Sequence, residues 1–230
     1  LPRVPFEVDA ALRFLAGVRT LVRVGAAVPV SFYGYPGRPG VLIEEGCRAI
    51  DAAAGADPLS TLRAIGQALG VSPIHIAPQP AAPLPDGKLN AQTIAAAIAA
   101  TMPEDAILVD ESITAGHLIH GATGRSPRHD WLNNMGGSIG WGMPVAIGAA
   151  VAQPERRVLA MVGDGSAFYT EQSLWTMARE GLNITVLIFA NREYAVLRGE
   201  WNRVGAQRSA DGGLPEKARN MLSLDRPSPD

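Results

Sequence analysis

Asp164 and Asn191 are the residues whose types and setting could hold a metal ion. Asp164 sits in Gly163-Asp164-Gly165-Ser166, directly after the apolar run Val158–Val162, and Asn191 directly follows the run Ile184–Ala190. Runs of that length read as buried strands of a parallel sheet. Between them Glu171–Glu180 reads as a helix, with Thr170 as its cap, Leu174, Trp175, Met177 and Ala178 as its inward face, and Gly181 as its stop. Such a strand–helix–strand unit brings both polar residues to the carboxyl ends of parallel strands, where ligands of open α/β sheets sit. Carboxylate and amide oxygens side by side are hard ligands suited to Mg²⁺, which takes about six oxygens and seldom finds them all in protein. Water, phosphate oxygens and the backbone carbonyl of Glu193 would supply the remainder. Glycines allow close backbone approach, and free amides at a helix start favour an anion. A carboxylate beside a phosphate repels it unless a cation stands between them. Other phosphate-binding patterns fit less well, because Phe168 stands where a dinucleotide fingerprint needs its third glycine and no Gly-Lys-Ser/Thr is present. The plain alternative is a βαβ turn that uses glycine and aspartate only for its geometry.

The remaining elements must carry this unit. The 230 residues suffice for one large or two small domains, and 47% apolar content can build substantial cores. A formal net charge of −2 gives no basis for binding nucleic acid or an anionic membrane, and no apolar run reaches membrane-spanning length. The single Cys47 cannot form an intrachain disulfide or a thiolate cage and reads as a buried small hydrophobe. No signal peptide is evident, and the opening at Leu1-Pro2 without an initiator Met leaves a preceding leader open; a cytoplasmic protein is expected. Residues 1–76 read as part of an α/β layer: a helix over Glu7–Ala16 ended by Gly17, a strand over Leu21–Val24, an apolar run Val41–Ile43 and a helix over Leu59–Leu69. The loop holding Gly34, Gly37 and Gly40 is open to two readings, a surface turn or a nucleotide contact. Residues 77–88, with Pro78, Pro80, Pro83 and Pro85, read as an extended linker. From residue 89 a second domain starts: Asn90 caps a helix to about Thr101, Ile107–Asp110 is a strand, and Pro144 suits the first turn of a helix over Val145–Ala152. His117, His120 and His129 lack a further ligand at metal spacing and read as surface histidines. Gly205–Gly213 reads as a mobile loop, and Leu222–Asp230 as a polar, proline-rich end.

Gly163-Asp164-Gly165-Ser166, the following helix and strand, and Asn191 resemble the diphosphate-and-magnesium motif of thiamine diphosphate (ThDP) enzymes, in the branch of acetolactate synthases, benzoylformate decarboxylases and pyruvate oxidases. The resemblance implies a doubly wound parallel α/β sheet for residues 89–230, preceded by the end of a Rossmann-like α/β central domain. It implies Mg²⁺ held by the side chains of Asp164 and Asn191 and the carbonyl of Glu193. Ile113 and Thr114 of Glu111-Ser-Ile-Thr114 would contact the phosphates, although Ser112 and Thr114 could equally be helix caps. In Asn134–Pro144 the carbonyl of Gly137 would accept from the aminopyrimidine, next to Ser138, and Ile139 would wedge the two rings into the bent form that brings the amino group near C2 of the thiazolium. Tight helix–strand packing is the other reading of these glycines. Tyr194 and Leu197 would line the cofactor.

The implied activity is decarboxylation or carboligation of a small 2-oxo acid by a homodimer or homotetramer with ThDP and Mg²⁺. FAD occurs in parts of the family, but nothing in this sequence supports it. The family's ring-activating glutamate belongs to an N-terminal domain not represented here, and the resemblance also implies further elements after residue 230. No catalytic residue is therefore expected on this chain. Ala190 replaces an asparagine common before the metal ligand, and Gly199-Glu200 replaces a Gln-Trp of acetolactate synthases. A benzoylformate decarboxylase-like activity is the alternative, and a non-catalytic ThDP- or nucleotide-binding regulatory module is a reading of another class.

Overall fold

The computed structural model describes residues 4–71, 83–114, 116–134, 137–206 and 208–225. The chain divides into two compact units, Leu1–Ile76 and Ala77–Asp230. Much of the proline-rich stretch, together with Met135, Gly136 and residues 226–230, lies outside the described residues.

In the first unit, α1 (Val8–Leu15) is capped by the Glu7 carboxylate, which accepts from the amides of Asp9 and Ala10. Its spacing buries Val8, Ala11 and Leu15 against Leu42. Strand β1 (Thr20–Arg23) pairs in parallel with β2 (Arg48–Asp51), and α2 (Pro58–Ala68) starts at the Asp57 cap. The run Val41–Ile43 is not a strand: Val41 makes one antiparallel bridge to Val30, which closes the glycine-rich loop. The strand partner, Arg-Ala-Ile-Asp, is too polar to stand out by hydropathy; pairing with β1 defines it. Cys47 is half-buried rather than buried.

The second unit is built on a four-stranded parallel sheet in the order β4-β3-β5-β6. In chain order the elements are α3 (Ala91–Thr101), β3 (Ala106–Glu111), α4 (Ile119–Thr123), β4 (His129–Asn133), α5 (Gly142–Ala152), β5 (Val158–Gly163), α6 (Asp164–Ala167), α7 (Ser173–Arg179), β6 (Ile184–Phe189), α8 (Ala195–Arg203) and α9 (Glu216–Leu222). Strand alternation divides the core into two layers. Ile107, Val109, Val158, Ala160 and Val162 pack with Met143, Ala146 and Ala150 of α5 and Met177 of α7. Leu108 and Met161 face the other way, onto Ala95 and Ile98 of α3 and Ile119 of α4. Helices cover both faces, which is the doubly wound arrangement. From β3 the chain moves to β4 on one side, then crosses to β5 and on to β6 on the other. The strand order therefore reverses between β3 and β5, and a crevice opens at their carboxyl ends.

Three expectations are corrected here. Gly163-Asp164-Gly165-Ser166 is not a simple turn, because Asp164–Ala167 winds into α6 directly from β5. Thr170 does not cap α7: its hydroxyl donates to the carbonyl of Gly140 at 2.9 Å, and the helix begins at Ser173 without a side-chain cap. Leu174 and Trp175 are 47% and 62% exposed, and Ala178 is exposed too, so Met177 alone of the expected inward face is buried, together with Ser173. Packing on α5 covers only the narrow i, i+4 stripe of so short a helix. Trp175 instead stacks with the Arg179 guanidinium, 4.5 Å from its ring centre.

Candidate functional site

Register sets the floor of the crevice. Glu111 of β3 stands opposite Val162 of β5, and Gly163 opposite Phe189 of β6, so all three strands finish in one row. Above that row lies a cleft that opens to solvent. From the loop after β3 it is lined by Ser112, Ile113 and Thr114, and from the glycine-rich loop by Ile139. Gly163, Asp164, Gly165 and Ser166 line it from the β5 end, and Asn191, Glu193, Tyr194 and Leu197 from the β6 end. Gly137 and Ser138 are not part of the lining: both are exposed, Gly137 has φ +67°, and the Ser138 carbonyl accepts from the Asn134 side chain at 2.5 Å.

The three strand-end loops are laced together by the residues expected to bind metal. Asp164 accepts from its neighbour Gly165 N–H at 2.9 Å through Oδ1 and from Arg192 N–H at 2.7 Å through Oδ2. Asn191 Oδ1 accepts from Glu193 N–H at 3.1 Å, and its amide donates to Thr114 Oγ1 at 3.3 Å. Asp164, Asn191 and Thr114 thus come from three strand ends and meet. The cost falls on the backbone: Ile113 and Arg192 have φ of 51° and 57°, a region unfavourable to side chains of their size. The second loop is held from outside by an antiparallel bridge of Glu193 with Ser223, in which Tyr194 N–H donates to Leu222 O and Leu224 N–H to Arg192 O, each at 2.8 Å. Leu222–Leu224 is therefore part of the site's frame rather than of a polar end. Gly165 is required by packing, since a Cβ there would lie 2.8 Å from the Tyr194 ring. Gly163 is not: a Cβ there would meet nothing closer than 3.8 Å.

The donor set suits a hard cation with a ligand of its own. Its side-chain donors are oxygens, and no group of three or more His, Cys, Asp or Glu that could hold a metal occurs among the described residues. Protein alone therefore offers too few ligands for a closed site, and the shortfall matches the oxygens of a diphosphate. Of the histidines, His117 meets the carbonyl of Thr114 at 3.2 Å, while His120 and His129 both lie edge-on to Trp131 and His129 also meets the carbonyl of Pro127 at 2.7 Å. Neither Ser112 nor Thr114 caps α4, which has no side-chain cap; the Ser112 hydroxyl donates to Asp110 at 2.5 Å.

Sequence reasoning missed Tyr169, Phe189, Ala195 and Val196 of the lining, and above all the role of Glu111 beneath it. Glu111 is 3% exposed, beneath the cleft, and burial pushes its carboxyl above the usual range against the opposing pull of the Gly142, Gly140 and Trp141 amides and the Ser166 hydroxyl. A pair of acids, Asp110 and Glu111, ending the apolar run Ala106–Val109 was the available signal.

Residues 115–224, which include Asp164 and Asn191, match the family model described as thiamine pyrophosphate enzyme, C-terminal TPP binding domain. A Mycobacterium tuberculosis protein named as a candidate acetolactate synthase large subunit is 43% identical over 99% of this chain and 44% of its own length. Benzoylformate decarboxylase of Pseudomonas aeruginosa is 34% identical over 49% of this chain and 21% of its own. The structure of a ThDP-dependent 4-hydroxybenzoylformate decarboxylase from Rhodococcus jostii superposes with a TM-score of 0.69 at 26% identity, over 92% of this chain and 43% of that one. The chain spans less than half the length of these relatives. Among the described residues no helix is long and apolar enough to cross a membrane. The match takes in the β5 and β6 sides of the cleft, and the family model, the relatives and the solved structure agree that this chain is similar to thiamine diphosphate enzymes.

Proposed function

We propose that this chain provides the diphosphate- and metal-binding part of a ThDP- and Mg²⁺-dependent enzyme that decarboxylates or ligates 2-oxo acids, of the acetolactate synthase large-subunit type. The observation that carries this reading is the meeting of Asp164, Asn191 and Thr114 at the switch point of the sheet, with only oxygen donors from the protein. Asp164, Asn191 and the Glu193 carbonyl would hold Mg²⁺. Thr114, with Ile113 and the amides of Gly165 and Ser166, would take the diphosphate. Gly163, where packing tolerates a side chain, keeps space open for that approach. Ile139, Tyr194 and Leu197 would receive the rings, with Gly137 and Ser138 beside the lining on the same loop. When bound, ThDP supplies the nucleophilic carbon and the electron sink that decarboxylation of a 2-oxo acid requires. The chain's own part is to anchor the diphosphate and orient the rings.

A benzoylformate decarboxylase-type substrate is the second reading, favoured by the likeness to the 4-hydroxybenzoylformate decarboxylase structure over 92% of this chain and by the absence of a Gln-Trp at Gly199-Glu200. We further infer a cytoplasmic homodimer or homotetramer; Ile113 and Ile139 are 42% and 43% exposed at the cleft, apolar surface that a second copy would cover. Titration calorimetry with ThDP tests the site: binding is expected with Mg²⁺ and is lost on chelation. Equal affinity without divalent metal overturns the assignment. Comparing CO₂ release from pyruvate and from benzoylformate, in a protein containing this chain together with a ring-activating carboxylate, separates the two substrate readings.

A further inference from the structure

Glu111 is not among the side chains proposed to hold metal or diphosphate, and it is the most deeply buried acid among the described residues. Its two oxygens are divided between two amides of one loop. Oε1 accepts from Gly140 N–H at 2.5 Å and Oε2 from Gly142 N–H at 2.6 Å. Gly142 opens α5, and that helix has no side-chain cap of its own sequence. The carboxylate from β3 thus satisfies helix amides that otherwise lack an acceptor, where the helix dipole also favours negative charge. The same loop is gripped from its opposite side, where Thr170 Oγ1 donates to the Gly140 carbonyl. The fit leaves no slack. A Cβ on Gly142 would lie 2.7 Å from Glu111 Oε2, and one on Gly140, at φ +86°, would lie 2.5 Å from Tyr169 Cβ. A neutral, isosteric amide cannot repeat this contact, because it has one acceptor for two N–H groups and turns a donor toward the other.

We propose that Glu111 is a positioning residue: by holding Gly140 and Gly142 it fixes the glycine-rich loop, and with it Ile139, in the conformation that receives the ring portion of the cofactor. This rests on the ThDP reading of the cleft. Glu111 also meets the Ser166 hydroxyl, but both of its carboxylate oxygens are taken by amides of the ring-end loop, and the Asn191–Thr114 and Asp164–Arg192 hydrogen bonds form without it.

The test compares two ligands on the intact chain, Mg²⁺ with ThDP and Mg²⁺ with inorganic pyrophosphate, which lacks the rings. Glu111→Gln is expected to weaken ThDP roughly tenfold or more, the size of effect set by losing a charge-assisted hydrogen bond, while pyrophosphate affinity stays within about twofold. Amide exchange of Gly140 and Gly142, followed by NMR, is expected to quicken in the variant, a change that general loss of stability would spread across the sheet. Parallel losses of both ligands, or unaltered exchange at these amides, overturn the proposal. So does an unaltered chain that binds ThDP no better than pyrophosphate. Failure of pyrophosphate to bind the unaltered chain with Mg²⁺ overturns the metal-site reading instead, and the exchange measurement still decides the role of Glu111 at the loop. Should Glu111→Gln not fold, Thr170→Val releases the same loop from the other side and is expected to give the same selective loss for ThDP.

Discussion

Single side chains in this cleft act in pairs drawn from different strand ends. Asp164 is the clearest case, since it joins the turn after β5 to the loop after β6 through Arg192 N–H. Asp164→Ala is expected to reduce Mg²⁺-dependent ThDP affinity at least tenfold, because removing groups that merely support a metal ligand already costs roughly 10–100-fold; calorimetry measures it. Gly165 and Tyr194 form the second pair. Gly165→Ala places a methyl 2.8 Å from the Tyr194 ring and should cost about 1–3 kcal/mol of stability through overpacking. Combining it with Tyr194→Ala is expected to recover part of that loss in thermal melts. Simple addition of the two single effects would show that the contact is not the cause.

At the scale of elements, two devices place the site: helix caps and loops strapped to strand ends. Asn90 and Thr93 form a reciprocal capping box at the start of α3, the helix that covers one face of the sheet. Asn90→Ala is expected to lower stability by about 1 kcal/mol without altering ligand affinity, read by denaturant unfolding. The start of α5 is capped from another element, by Glu111, whose carboxyl burial raises above the ordinary range. The direction of linkage follows. A carboxyl with a raised folded value adds stability that is fully present below its ordinary range and is lost as the pH rises through the raised value. The melting temperature of Glu111→Gln minus that of the unaltered chain should therefore increase from about pH 4 to about pH 7. A flat difference contradicts a buried, ionising Glu111. The strap at Leu222–Leu224 belongs to this scale too, since it holds Arg192–Tyr194 from a distance in sequence that no local pattern reveals.

For the molecule as a whole, the supply of acids limits what the second unit does alone. Asp164 faces the proposed metal, Glu193 pairs with Arg198 at 2.7 Å, and Glu111 is enclosed by loop amides. None of these is left to activate the aminopyrimidine. The 230-residue chain is accordingly expected to bind Mg²⁺ and ThDP yet release CO₂ from pyruvate or benzoylformate at least roughly 10²-fold more slowly than a protein that adds such a carboxylate, the lower end of what acid–base assistance contributes. Turnover within tenfold of that protein would place the activating group on this chain.

By itself the sequence determined the βαβ unit that carries Asp164 and Asn191, because buried parallel strands are continuous apolar runs and the two polar residues end them. It also determined α1, α3 and α5 within a residue or a few, through the apolar spacing from Val8 to Leu15, the Asn90 cap and Pro144. Elements stabilised chiefly by neighbours were not legible. Strands β2 and β4 are polar or mixed, and α7 shows solvent the residues that its pattern assigned to the core. Only the tertiary structure decided that Thr170 and Glu111 converge on Gly140, that Asn191 reaches Thr114, and that Leu222–Leu224 straps the metal loop. The reason is physical: periodicity and caps report interactions within about one helical turn or one strand, whereas these hydrogen bonds join residues 28 to 77 positions apart, and only the strand order and register bring them within reach.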